Sequence, residues 1–239
     1  MNYFFAAHIG TETLFKMDER ESHHLVHVLR LKAGEKIYLI DGKGNLFHAE
    51  IYEASKKTAI VKILKKEIQP KSRNYHLHIA IAPVKSSERF DIFLEKATEI
   101  GVDEITPLIT QNSERRKLNI EKAKQTLIAA TKQSGNAWLP KINDAVEFKQ
   151  WLKTHPGDHG LKFICHCQPG DKPSLEKSYS LLKDVLILIG PEGDFTADEI
   201  ILANKFAFQS CSLGESRLRT ETAGILTCAI IHTINRYNA

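Results

Sequence analysis

Cysteine is scarce. The four residues lie at 165, 167, 211 and 228, and no C-x-x-C pair occurs among them. No disulfide framework is visible, and a reduced, cytoplasmic setting is the simplest reading. The first residues, MNYFFAAHIGTETLF, hold neither a basic segment nor a long apolar core, so no signal peptide is expected. The longest apolar-rich stretch, 223–234, is too short to span a bilayer, and no membrane partner is expected. Neither G-x-G-x-x-G nor G-x-x-x-x-G-K-[ST] occurs, which argues against a nicotinamide or nucleoside-triphosphate enzyme. What is present is an ordinary globular composition, 42% hydrophobic and 26% charged over 239 residues. That length supports one large domain or two smaller ones with a sizeable core. The net charge of +4 is compatible with a polyanionic partner without requiring one.

The chain changes rhythm part way along. Residues 1–70 read as a small β domain: strands at KIYLI (36–40), LFHAEIYE (46–53) and TAIVKIL (58–64), a turn at Asp41-Gly42-Lys43-Gly44-Asn45, and one helix at SHHLVHVLRL (22–31). KEIQPKSRN (66–74) reads as a linker. From 71 to 239 strands and helices alternate, which predicts a parallel sheet covered on both faces. Strands are expected at 76–83, 103–109, 161–167, 185–190 and 208–213, and helices at 86–101, 119–134 and 220–236. Thr196-Ala-Asp-Glu199 reads as a capping box opening another helix. In such sheets ligands bind at the carboxyl ends of strands. GPEG (190–193) and LGESRLR (213–219) both fall there, and glycines at 190, 193 and 214 let backbone approach a ligand closely.

KSSERFDIFLEKATEIGVDEITPLIT (85–110), LILIGPEGDFTADEI (186–200) and LGESRLRTETA (213–223) together resemble the bacterial 16S rRNA uracil-N3 methyltransferase family, within the SPOUT superfamily. HHLVHVLRLKAGEKIYLIDGKGN (23–45) resembles the family's N-terminal half, so the likeness covers nearly the whole chain. It implies an α/β fold: a trefoil-knotted parallel-sheet methyltransferase domain preceded by a small PUA-like β-barrel domain. It also implies a homodimer acting on 16S rRNA, with the assembled small ribosomal subunit as substrate. Asp194 stands where the family often has a second glycine, and Ser216-Arg217 replace an arginine and an aliphatic residue.

The resemblance implies S-adenosylmethionine as cofactor, in a pocket made by Ile189, Gly190, Gly193, Leu213, Gly214 and Leu218. The methyl donor is already activated, so no metal is expected. Uracil N3 is an imide nitrogen whose proton must leave while charge develops on the flanking carbonyl oxygens. Arginine cannot act as a base but donates hydrogen bonds in a plane, so Arg219 is the candidate for holding those carbonyls. Glu192 and Glu221 are the candidate catalytic carboxylates. His24 and Arg30 in the β domain, and Lys85, Arg115 and Arg116, are candidate RNA contacts. His24 and His27 lack a third metal ligand, and the two cysteines of Cys165-His166-Cys167 read as buried apolar groups on one strand face. Two other readings compete: a SPOUT ribose 2′-O-methyltransferase acting on another RNA, and a non-catalytic RNA-binding or assembly factor.

Overall fold

The structure, a computed structural model, describes residues 2–55, 57–71, 73–154 and 160–237. They form two compact units: Met1–Ser72 with Ile128–Leu139, and Arg73–Leu127 with Pro140–Ala239.

The first unit holds a five-stranded sheet of β1 (Tyr3–Phe5), β2 (Leu14–Lys16), β3 (Lys36–Ile40), β4 (Asn45–Ala54) and β5 (Ala59–Ile68), in the order β1-β3-β4-β5-β2. β1 pairs with β3 in parallel and the other pairings are antiparallel. Among the described residues β1 and β2 remain the two edges of this sheet. Phe4, Leu25, Leu39, Phe47 and Val61 fill the core on one face. The β3–β4 turn forms as its residues predict: the Asp41 carboxylate accepts from the backbone N–H groups of Lys43 and Asn45 at 2.8 and 3.1 Å. Gly44 there has φ +92° and lies so close to the Trp138 ring that a Cβ would sit 2.4 Å from it. Trp138 in turn donates from Nε1 to the Gln69 carbonyl, and Ala137 N–H donates to the Gln69 side chain, which ties Ile128–Leu139 into this unit.

Two local expectations shift. The stretch expected to be linker is partly strand, because β5 continues to Ile68 opposite Asn45. The helix expected at 22–31 starts earlier, as α1 (Glu19–His23), where the Asp18 side chain accepts from Glu21 N at 2.7 Å. It then widens into a π-turn over His24–Val28, and the chain breaks away at Arg30, which has φ +56°.

The second unit is a seven-stranded sheet paired in parallel throughout. Its elements are β6 (Leu77–Ile81), α2 (Ser87–Ile100), β7 (Glu104–Ile109), the first half of α3 (Ile120–Ser134), which from Ile128 on belongs to the first unit, β8 (Lys141–Ile142), β9 (Val146–Glu147), α4 (Phe148–Thr154), β10 (Leu161–Cys165), α5 (Leu175–Ser178), β11 (Val185–Ile189), α6 (Ala197–Lys205), β12 (Gln209–Cys211) and α7 (Thr220–Tyr237). The order is β12-β10-β11-β6-β7-β8, with β9 also on β7. Every residue of β6 and β11 is buried, as a parallel sheet covered on both faces demands. α2 ends at Gly101 in a left-handed C-cap, and α6 opens with the expected Thr196–Glu199 capping box. No helix among the described residues is long and apolar enough to cross a membrane.

The strand expected at 161–167 stops at Cys165. Cys165 is buried, with its Sγ 3.2 Å from Cys211 Sγ on the neighbouring strand, whereas Cys167 is exposed. The two cysteines therefore do not share one buried face. The cause is local: Cys167 N–H leaves the ladder to donate to the Asp194 carboxylate at 2.8 Å.

Candidate functional site

β10, β11 and β12 end side by side, and their carboxyl ends open into a cleft of about 580 Å³ in the second unit. Ile189, Gly190, Gly193, Leu213, Gly214 and Leu218 all line it, together with Glu192 and Arg217. The two glycine-bearing turns thus form one cleft, and a direct bond joins them. The buried Thr220 hydroxyl, at the start of α7, donates to the Gly190 carbonyl at 3.0 Å.

The glycines answer steric demands. A Cβ on Gly190 would lie 3.0 Å from the Phe195 ring, and one on Gly193 would lie 3.0 Å from Asn112 Cβ. Gly214 has φ +125°, a conformation open chiefly to glycine. Asp194 has φ +61°. That region suits the glycine common in the family, and aspartate reaches it because a short polar side chain can bond locally. Its carboxylate accepts from Phe195 N and Cys167 N, both at 2.8 Å. Asn112 fixes the same turn from outside, donating from Nδ2 to the Gly193 and Asp194 carbonyls.

Of the three candidate catalytic residues, Glu192 faces the cleft. It is exposed, and one oxygen accepts from the Lys85 backbone N–H at 3.0 Å. Arg219 is exposed and lies between two lining residues, Leu218 and Thr220, without itself lining the cleft; it makes no ion pair among the described residues. Arg217, in the rearranged part of the motif, takes a place on the wall instead. Glu221 is buried in the first turn of α7 with an oxygen 3.9 Å from Arg89 Nε of α2, apart from the cleft lining.

The candidate RNA contacts are spread over both units. In the first, His24 packs against Phe4, and burial, followed by the Lys132 charge, lowers its pKa, while Arg30 is exposed. In the second, Lys85 pairs with Glu114 at 3.0 Å and Arg116 with Glu147 at 3.1 Å, both exposed pairs that solvent screens strongly. Arg115 donates from Nε to the Lys117 carbonyl. No group of three or more His, Cys, Asp or Glu able to hold a metal exists among the described residues.

Sequence reasoning missed one wall. The segment following β10 lines the cleft through His166, Gln168 and Lys172, and both His166 ring nitrogens are buried without a hydrogen-bond partner. Asn112 also passed unnoticed, and Thr220 stood out only as part of the LRTETA motif, without its bond to Gly190. Their signals are contacts between positions 30 and 81–82 residues apart, which no local pattern carries.

A parallel sheet whose strand ends open into a glycine-lined cleft defines a domain that binds a small organic ligand. Residues 71–232 match the family model described as an RNA methyltransferase domain, and residues 18–64 match an RNA methyltransferase PUA domain. The chain belongs to this RNA methyltransferase family. It is 32% identical over 226 residues to the ribosomal RNA small subunit methyltransferase E of Rickettsia conorii, covering 92% of this chain and 91% of that protein. Its fold matches the crystal structure of a probable rRNA methyltransferase from Porphyromonas gingivalis with a TM-score of 0.91, 36% identity and full coverage of both chains. It also matches a ribosomal RNA small subunit methyltransferase E from Neisseria gonorrhoeae, crystallised with S-adenosylmethionine, with a TM-score of 0.87, 26% identity and 98% coverage of each chain. The resemblance carried by the sequence motifs is borne out.

Proposed function

We propose that this chain is an S-adenosylmethionine-dependent methyltransferase that methylates N3 of a uridine in 16S rRNA, within the assembled small ribosomal subunit. The observation that carries this reading is the single cleft formed by the IGPEG and LGESRLRT turns, in a chain related along nearly its whole length to small-subunit rRNA methyltransferases. The donor set suits the cofactor. Gly190, Gly193 and Gly214 leave room for main-chain contacts, and Ile189, Leu213 and Leu218 supply apolar walls for an adenine ring. When bound, S-adenosylmethionine supplies a methyl group on an already activated sulfonium centre, so the residues around it need only position, deprotonate and stabilise.

Arg219 takes the uracil carbonyls, since it is exposed between two lining residues, Leu218 and Thr220, without a carboxylate partner to give up. Glu192, a carboxylate of the IGPEG turn held through Lys85 N–H, is the acceptor for the N3 proton. Glu221 belongs in this account through Arg89 and the placement of α7. His24 and Arg30 of the first unit, and Lys85, Arg115 and Arg116 of the second, contact the RNA backbone. The strands around the cleft are threaded as the trefoil knot of the SPOUT superfamily, and the first unit is a PUA-like β domain whose described sheet stays open between β1 and β2. Two copies pair through α7, where Ile225, Leu226, Ala229 and Ile234 stay partly exposed in the single chain. The protein works in the cytoplasm.

Mass spectrometry of ribosomal nucleosides from a strain lacking this gene tests the reading. Loss of 3-methyluridine is expected. Loss of a 2′-O-methyl nucleoside instead would assign the ribose chemistry, and an unchanged profile would leave a non-catalytic RNA-binding factor.

A further inference from the structure

β10 lies between β11 and β12, the strands that carry the two recognisable turns, so the segment after β10 occupies the middle of the cleft. It is clamped at both ends. Cys167 N–H donates to Asp194 and Gln168 Nε2 to the Phe195 carbonyl, while Ser212 N–H donates to the Pro173 carbonyl. Between the clamps Lys172 folds back, and its half-buried ammonium donates to the Gln168 and Gly170 carbonyls of its own loop. Those bonds fix the charge in place without neutralising it, and no carboxylate pairs with Lys172 among the described residues. His166 shares this corner with both ring nitrogens buried and unpartnered. Its pKa is lowered by burial first and by Lys172 next, against the opposing Asp194 carboxylate, which favours the neutral imidazole and leaves Lys172 as the fixed positive charge here. Arg217, the cation on the opposite turn, is exposed and lacks such a scaffold.

A preset, unneutralised ammonium beside an imidazole whose one N–H is unsatisfied calls for an anionic ligand group. We infer that the loop from His166 to Lys172 is the carboxylate subsite of the cleft, with the Lys172 ammonium holding the carboxylate of the cofactor's amino-acid end. The inference rests on the reading of the cleft as an S-adenosylmethionine site. It separates the cofactor's two ends: the adenosyl end lies against the IGPEG and LGESRLR turns, and the amino-acid end against the third loop.

Two probes differing only at that end test it: S-adenosylhomocysteine, and 5′-methylthioadenosine, which lacks the amino-acid portion. Calorimetric titration of the wild-type protein should show both binding. Lys172→Ala should weaken S-adenosylhomocysteine by about tenfold to a hundredfold, the range for losing one charge-assisted hydrogen bond, and leave 5′-methylthioadenosine within about twofold. Lys172→Gln keeps a donor for the loop carbonyls but removes the charge, and should show the same selective loss with an unchanged melting temperature. Equal weakening of both probes would overturn the inference, because it would make Lys172 a loop brace. Unchanged S-adenosylhomocysteine affinity would also overturn it, including where RNA binding falls instead. A wild-type protein that binds neither probe would defeat the cofactor reading itself.

Discussion

Thr220→Val isolates the bond that joins the two turns. The Thr220 hydroxyl is buried and donates to the Gly190 carbonyl at 3.0 Å, linking the first residue of α7 to the end of β11. Valine keeps the side-chain shape and deprives the carbonyl of this donor. Leaving a buried acceptor unsatisfied costs about 1–3 kcal/mol. At about 2 kcal/mol, a domain of this size loses roughly 4–8 °C in melting temperature. If the bond also fixes the turn for ligand, cofactor binding weakens as well, by up to about thirtyfold for the same free energy. Thr220→Ser retains the hydroxyl and should hold most of the affinity. Calorimetric melting and cofactor titration on the three proteins are the assay. A Thr220→Val protein that melts and binds like the wild type would refute the claim that the two turns act as one unit.

Three further outcomes are expected. Gly224→Ala in α7 should lower stability by about 1–3 kcal/mol although alanine is the better helix former, because its Cβ would lie 2.6 Å from the Phe93 ring and 2.9 Å from Ile81 Cδ1; a higher melting temperature would contradict this. Glu104 accepts hydrogen bonds from Lys141 and Asn143 and lies 3.3 Å from His76, and His76 first of all holds its carboxyl well below the ordinary range. A depressed carboxyl contributes stability above its unfolded pKa and loses it as pH falls toward the folded value. Urea midpoints from neutral to acid pH should therefore fall less steeply for Glu104→Gln than for the wild type, and parallel curves would remove Glu104 from the acid response. Arg219→Ala should slow methyl transfer by about a hundredfold or more with cofactor affinity intact, and Arg219→Lys should restore only part of the rate. Near wild-type turnover in a folded Arg219→Ala protein would exclude it from the chemistry.

Much of the fold could be read locally because its signals are local. The alternation in β3–β5, the apolar runs of β6 and β11, the helical spacing of α2 and α3 and the Thr196–Glu199 box each lie within one element. β1, β2, β8 and β9 are two or three residues long, too short to show a period. The start of α1 had a signal, Asp18 three residues before Glu21, hidden because the apolar spacing begins later. The cleft was half legible. Its two glycine turns stand out in sequence, but its third wall depends on β10 lying between β11 and β12, a strand order set by long-range packing. The same limit separates Arg217, which reaches the wall, from Arg219, which the motif favours.

The most direct test is methyl transfer by the purified protein. Small subunits from a strain lacking the enzyme would be incubated with S-adenosylmethionine carrying a deuterated methyl group, and the digested rRNA read by mass spectrometry. The proposed function requires the label in 3-methyluridine, and its loss when Gly190→Trp fills the space beside Phe195. Label in a 2′-O-methyl nucleoside, no label at all, or full labelling by Gly190→Trp would contradict it.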